Sequence, residues 1–348
     1  MPRCASPLWT MKNPALLSAL LLLTMLSIFM VNLFFGSIHL DFGEVLLSLL
    51  GRNEDSVTRF VVIESRLPQA ITALLCGAGL AVSGLLLQTV FHNPLADPSI
   101  LGVNSGASLG VAFVMLVLGG SFAAEGSTIG GFLFIVAAAF SGAICIIMLL
   151  LLFSRYVKGN TTLLIAGIMV SYLTSSVISL LNYSATEQGV HSYIIWGLGN
   201  FGGIGLKNMP MFAGALLLCI GLTITLIKPL NALQLGSSYA RNLGVNIRRT
   251  RSMLLVVTGF IAAITTAFCG PISFIGLAVP HIVRLICRTA NHRVLVPLTL
   301  LTGAIVGLFC NWLCTLPADG TTIPINVVTP FFGVPVIVYV LLPKRGLD

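Results

Sequence analysis

The sequence predicts an all-α, polytopic membrane protein with about ten transmembrane helices, and three observations carry that prediction. Of the 348 residues, 57% are hydrophobic and 8% are charged, and the mean hydropathy is +1.03. A soluble domain carries about a quarter charged residues. The apolar residues come in runs of about 20, the length that crosses a bilayer as a helix. The charges are also sided: of the 18 lysines and arginines, only Arg52, Arg59, Arg66 and Lys207 fall in one of the two alternating sets of loops. A soluble enzyme, a disordered chain and a fibrous chain are excluded on these grounds.

The runs are separated by Gly, Pro, Asn and charge clusters, which set the limits of each span. The first, 15–36, is long for a signal peptide and no A-x-A site follows it, so it is expected to remain as an uncleaved helix. The second, 67–91, carries Ala73, Gly77 and Ala81 at four-residue spacing, and the third, 99–119, carries Gly102, Gly106 and Gly110. Both stripes place small residues on one helix face, the pattern that lets membrane helices approach closely. The fourth and fifth, 128–153 and 161–182, flank a basic turn with Arg155 and Lys158; the sixth, 206–228, ends at Lys228. The seventh and eighth, 252–270 and 271–287, meet at Gly270-Pro271, residues that membrane helices tolerate better than soluble ones. The ninth and tenth are 294–313 and 325–342. The whole chain, 1–348, reads as a single transmembrane domain.

By the positive-inside rule the basic set of loops and both termini are cytoplasmic. The opposite side gathers Asp41, Glu44, Glu54, Asp55, Glu64, Glu125, Glu187 and Asp319, so that only Asp97 and Asp348 of the 10 acids lie with the basic set. The formal charge of +8 is therefore a topology signal and not a nucleic-acid footprint.

Ionisable residues deep in the spans are nearly absent; His281 and Arg284 lie towards the cytoplasmic end of the eighth. Coupling to protons or sodium ions generally uses intramembrane carboxylates or histidines, so it is poorly supported. No Gly-Lys dipeptide occurs, which excludes a G-x-x-x-x-G-K-[ST] phosphate loop, and any ATPase must be another chain. The five histidines lack metal-ligand spacing, no C-x-x-C or G-x-S-x-G occurs, and no metal, cofactor or catalytic residue is assigned. The longest inner loop, about 229–251, carries Leu235, Tyr239 and Leu243 at four-residue spacing beside Arg241. That pattern fits a solvated connector or a docking helix equally well.

In order along the chain stand Arg66-Leu-Pro-Gln69, Gly77-Ala-Gly-Leu-Ala-Val-Ser-Gly84, Gln88, Asn93-Pro-Leu-Ala-Asp-Pro98 and Leu101-Gly-Val-Asn-Ser-Gly-Ala107. They are followed by the loop Leu235-Gly…Tyr239-Ala-Arg…Leu243-Gly-Val, by Gly270-Pro…Val-Pro-His-Ile-Val-Arg284 and by Val327-Val-Thr…Gly333-Val-Pro335. This set resembles the FecCD-type permeases, the membrane subunits of ABC importers for iron–siderophore, haem or cobalamin. The resemblance implies the type II permease architecture, in which helices two to five and seven to ten form an inverted repeat. It implies two permease copies, two cytoplasmic ATPase subunits and an extracytoplasmic binding protein, in the bacterial inner membrane, with ATP hydrolysis on the ATPases alone. Iron–siderophore is the favoured cargo as the family's largest group, with cobalamin or haem as the alternative; an ATP-independent transporter or channel is the alternative class.

Carried onto this sequence, the resemblance makes Leu235, Gly236, Ser237, Tyr239, Ala240, Arg241, Leu243 and Gly244 the segment that couples to the ATPase. Asn160, Thr161 and Thr162 correspond to the cytoplasmic gate, and Ser171, Ser175 and Asn182 are candidate pathway residues. Arg66, helped by Arg59, would receive the binding protein. The chain departs from the family where Gln69 and Thr315 replace docking arginines, where Asn311 replaces an acid, and where Ser237 replaces a glutamate of the coupling loop.

Overall fold

The computed structural model describes residues 14–52, 55–117, 129–157, 159–316 and 321–341, and all regular structure among them is helical. Helix α1 (Pro14–Phe34) leads to a short α2 (Phe42–Leu49), capped by the Asp41 carboxylate on the amide of Gly43. Helix α3 (Ser56–Phe91) starts where Asp55 accepts from the amides of Val57 and Thr58, widens into a π-helical stretch over Phe60–Arg66, and continues as an α-helix from Leu67. Then follow α4 (Val103–Val117), α5 (Ile129–Tyr156), α6 (Asn160–Ser184) and the short α7 (Glu187–Gly197). Helices α8 (Met209–Thr225) and α9 (Ile227–Gln234) bend by 48° and precede a six-residue α10 (Ser237–Asn242). The last four are α11 (Ile247–Cys269), α12 (Ile275–Cys287), α13 (His292–Cys314) and α14 (Ile325–Leu341).

Each expected span has its helix, but the count of about ten is not reached by length and composition. Among the described residues six helices are long and apolar enough to cross a membrane, or seven if α8 and α9 form one bent span, while α4, α12 and α14 are shorter apolar helices. The shortening has a local cause. Helix α4 starts at Val103 and not at 99 because Gly102 takes φ +83°; α12 starts at Ile275 and not at 271 because Gly270 and Phe274 take φ +75° and +70°. Irregular backbone of this kind survives in an apolar protein only where protein covers it, and Ala96, Asp97, Leu101 and Ile272 are buried.

Helix α3 is the centre of the molecule, with almost every residue from Leu75 to Phe91 buried. It packs on α13 through the expected stripe: Ala73, Gly77 and Ala81 meet Gly303 and Gly307 so closely that a methyl group on Gly77 would overlap the carbonyl oxygen of Gly303. The second stripe behaves alike, with Gly106 and Gly110 of α4 against Gly142 and Ala138 of α5. Contact between backbones maximises dispersion where lipid leaves little hydrophobic drive between helices. The pairings are reciprocal: α3 packs on α12 and α13, while α11 packs on α4 and α5.

Candidate functional site

At the end of the molecule that carries the basic loops, α9 buries Leu230 and Leu233 and is keyed to the start of α13. Asn231 Oδ1 accepts from the backbone amide of His292 at 2.8 Å and lies 2.9 Å from its Nδ1, while Asn231 Nδ2 donates to Asn291 Oδ1 at 3.0 Å. The far side of the same imidazole, Nε2, lies 2.9 Å from Thr89 Oγ1 on α3. Beyond this anchor, Gly236 (φ +104°) and Gly244 (φ +79°) turn the chain on either side of α10. Ala240 is fully buried, whereas Leu235, Tyr239 and Leu243 are 66%, 51% and 57% exposed. Ala240 thus faces inward from α10, while Leu235, Tyr239 and Leu243, on and beside this helix, turn large apolar side chains outward. Arg241 is exposed beside it, and the side chain of Ser237 lies outside the described residues.

Helix α6 opens at Asn160, whose side chain is not among those described; Thr161 and Thr162 are exposed in its first turn. The carbonyl of Gly159 accepts from Arg251 Nη2 at 3.4 Å, tying the start of α6 to α11. Of the candidate pathway residues, Ser175 faces a cavity of about 460 Å³ together with Ser99, Asn104, Ser105, Ser108, Ser179, Tyr193 and Ser273. Ser171 turns away from that cavity, donating to the carbonyl of Gly167 at 3.0 Å against the left-handed Gly102. Asn182 is half-buried, and its Oδ1 is enclosed without a hydrogen-bond partner. The cavity wall is thus built from α4, α6, α7 and the turn before α12, and it is mostly serine. Desolvation raises the Tyr193 phenol above its ordinary pKa, so it faces the cavity as a neutral hydroxyl. Sequence reasoning missed Ser105 and Ser108, although their three-residue spacing beside the glycine stripe of the third span was a signal for one polar helix face; Tyr193 and Ser273 carried no local signal.

At the opposite end Arg59 is exposed but Arg66 is 7% exposed. Its guanidinium donates to the carbonyls of Leu33 and Phe34, at 2.9 and 3.0 Å, and to that of Ile38. A cation on the last carbonyls of α1 complements the negative end of the helix dipole. In this conformation Arg66 closes the end of α1 rather than offering a free charge to a partner. Gln69, Asn311, Asn200 and Cys314 surround a nearby cavity of about 170 Å³. Thr315 Oγ1 donates to the carbonyl of Trp312 at 2.8 Å.

Comparison with known proteins places this arrangement. Residues 21–343 match the model of the FecCD transport family. The chain is 36% identical over 281 residues to the vitamin B12 import system permease protein BtuC of Klebsiella pneumoniae subsp. pneumoniae, covering 81% of this chain and 82% of that protein. The BtuC protein of Salmonella typhimurium is likewise 36% identical over 281 residues, covering 81% of this chain and 83% of that one. A solved structure described as an inward-facing conformation of a metal-chelate type ABC transporter superposes with a TM-score of 0.81 at 29% identity, covering 94% of this chain and 99% of the other. The chain therefore belongs to the FecCD transport family.

Proposed function

We propose that this protein is the membrane permease of an ATP-driven ABC importer whose cargo is a corrinoid of the vitamin B12 type. The observation that carries the cargo is the 36% identity to vitamin B12 import permeases over 81% of the chain. The preference for iron–siderophore drawn from family size gives way to it. The serine-lined cavity supports the reading chemically, because a wall of seven hydroxyls and one amide, alongside Ile178 and Pro271, solvates a large polar ligand without binding it tightly. A second reading, a metal chelate as cargo, is favoured by the likeness to the metal-chelate type transporter.

The working assembly is two copies of this chain, two ATPase subunits on the cytoplasmic face and a binding protein on the outer face of a bacterial inner membrane, with both termini of the permease inside. ATP binding draws the ATPases together. The outward apolar face of α10 receives that movement, and the Asn231–His292–Thr89 contacts carry it from α9 to α13 and α3. Asn160, Thr161 and Thr162 at the start of α6 close or open the inner mouth. Of the three α6 residues Ser171, Ser175 and Asn182, Ser175 lines the passage. Packed helices switch between discrete arrangements, which turns a small displacement at α10 into alternating access.

The test is ATP-dependent uptake into liposomes carrying the permease, its co-purified ATPase and binding protein, with cyanocobalamin and a ferric siderophore in parallel. Cobalamin uptake is expected. Uptake of the ferric chelate alone would move the assignment to the second reading, and flux independent of ATP would overturn the importer. Tyr239→Ala is expected to lower ATP-driven uptake by about tenfold, as loss of one interface anchor does, with the fold intact.

A further inference from the structure

Four arginines from three elements share one cavity of about 510 Å³ at the inner end of the molecule: Arg155 at the foot of α5, Arg241 on α10, and Arg248 and Arg251 in the first turns of α11. Val245 and Ile247 make its apolar part. On this side of the chain the sequence places only two acids, Asp97 and Asp348, and Asp97 already accepts from Ser99 at 3.3 Å. Four like charges around one half-open cavity, three of them on exposed side chains, repel unless an anion joins them. The Nε of Arg251 is enclosed and has no acceptor, although its guanidinium lies 5.9 Å over the ring of Phe91 and its Nη2 reaches Gly159. The amides that open α11 add the positive end of a 23-residue helix. Such a site demands a compact, multiply accepting anion, of which a phosphate is the common example.

The neighbouring surface decides the source of that phosphate. Met148, Leu152 and Tyr156 recur at four-residue spacing on α5 and are 64%, 48% and 78% exposed. They form an apolar stripe ending beside Arg155, which suits an acyl chain running up α5 from a headgroup held at its foot. We infer that the arginine cavity is a binding site for the phosphate headgroup of an anionic phospholipid of the inner leaflet, seated between α5, α10 and α11. A lipid there contacts both the coupling segment and, through Arg251 and Gly159, the start of α6. The inference rests on the chain being embedded in a membrane and holds whatever the cargo.

The test uses the full chain, delipidated in mild detergent and titrated with phosphatidylglycerol or phosphatidylcholine, with bound lipid counted by native mass spectrometry. Each arginine near an anionic headgroup is worth about fivefold in affinity, so Arg155→Gln with Arg248→Gln is expected to weaken phosphatidylglycerol about 25-fold and leave phosphatidylcholine unchanged. Arg293→Gln, an exposed inner arginine outside the cavity, should change nothing. The pair Arg155→Lys with Arg248→Lys retains the charge and is expected to keep most of the binding, which preserves the test if the glutamine pair fails to fold. Equal retention by wild type and the glutamine pair, or equal loss in Arg293→Gln, would overturn the site. Displacement of phosphatidylglycerol by excess inorganic phosphate would assign it to a free anion, and release of lipid on adding the ATPase subunit would assign the arginines to that protein; either outcome sinks the lipid assignment.

Discussion

Gln69 on α3 donates its Nε2 to Oδ1 of Asn311 on α13 at 3.0 Å, joining residues 242 positions apart in the chain. Asn311 passes the connection on, its Nδ2 donating to Asn32 Oδ1 on α1 at 2.8 Å, and Asn32 Nδ2 donates to the carbonyls of Ile28 and Leu308. Three helices are tied by neutral amides at two of the positions where the family resemblance leads one to expect charges. The exchange is internally consistent, because an arginine facing Asn311 would be left without its acid.

Replacing Asn311 with Ala removes an acceptor from Gln69 and a donor from Asn32. Interhelical hydrogen bonds in membranes average about 0.6 kcal/mol and reach about 1.7, so a loss of roughly 1–3 kcal/mol is expected for the two together. A thermal midpoint in detergent equal to that of wild type would show that the amide chain does not hold these helices.

Arg66 and Arg59 are expected to separate by phenotype. Arg66→Gln removes the cation from the end of α1 and should make the 34–40 segment more sensitive to limited proteolysis. Arg59→Glu leaves that segment alone and is expected to slow capture of the binding protein, more at low salt than at high salt. Proteolysis of Arg66→Gln at the wild-type rate would remove the clamp from the account.

Two glycine-to-alanine changes with the same chemistry should have opposite outcomes. On Gly77 a methyl group would overlap the Gly303 backbone, and the forced separation of α3 and α13 is expected to cost roughly 1–3 kcal/mol or more. At Gly214 of α8 a methyl group meets nothing within 4 Å, and Ala there should be neutral or slightly stabilising. Melting curves of the two variants side by side check this, and a neutral Gly77→Ala would mean that α3 and α13 stand further apart than described here.

The buried Asp97, in the loop between α3 and α4, has its carboxyl pushed up from 3.8 to about 7 by desolvation, against a smaller opposing effect of Ser99. The folded chain therefore holds this proton more tightly than the unfolded chain does. Stability from this group is fully present below about pH 4 and is lost as pH rises through about 7, by up to roughly 4 kcal/mol. Asp97→Asn should melt above wild type at about pH 8 and close to it at about pH 4, with the gap opening between about pH 4 and 7. A constant gap across that range would show that Asp97 does not titrate there.

The helical, apolar character of the chain and both small-residue stripes were legible in the sequence, because hydropathy and helical periodicity are properties of a single helix and its immediate solvent. The geometry of the segment around α10 was half legible: the spacing of Leu235, Tyr239 and Leu243 showed one face, and only the burial of Ala240 showed that this face points outward. What the sequence could not show depends on partners far away in the chain. Arg66 was a basic residue in an outer loop until the carbonyls of Leu33, Phe34 and Ile38 enclosed it. Ser171 and Ser175 stand one turn apart on α6, yet one packs inside and the other faces the cavity, because the irregular stretch before α4 crosses the helix at Gly167. The starting points of α4 and α12 were set by the left-handed turns at Gly102 and Phe274. Hydropathy scores what a segment avoids, whereas these outcomes were set by which backbone atoms another helix brought within reach.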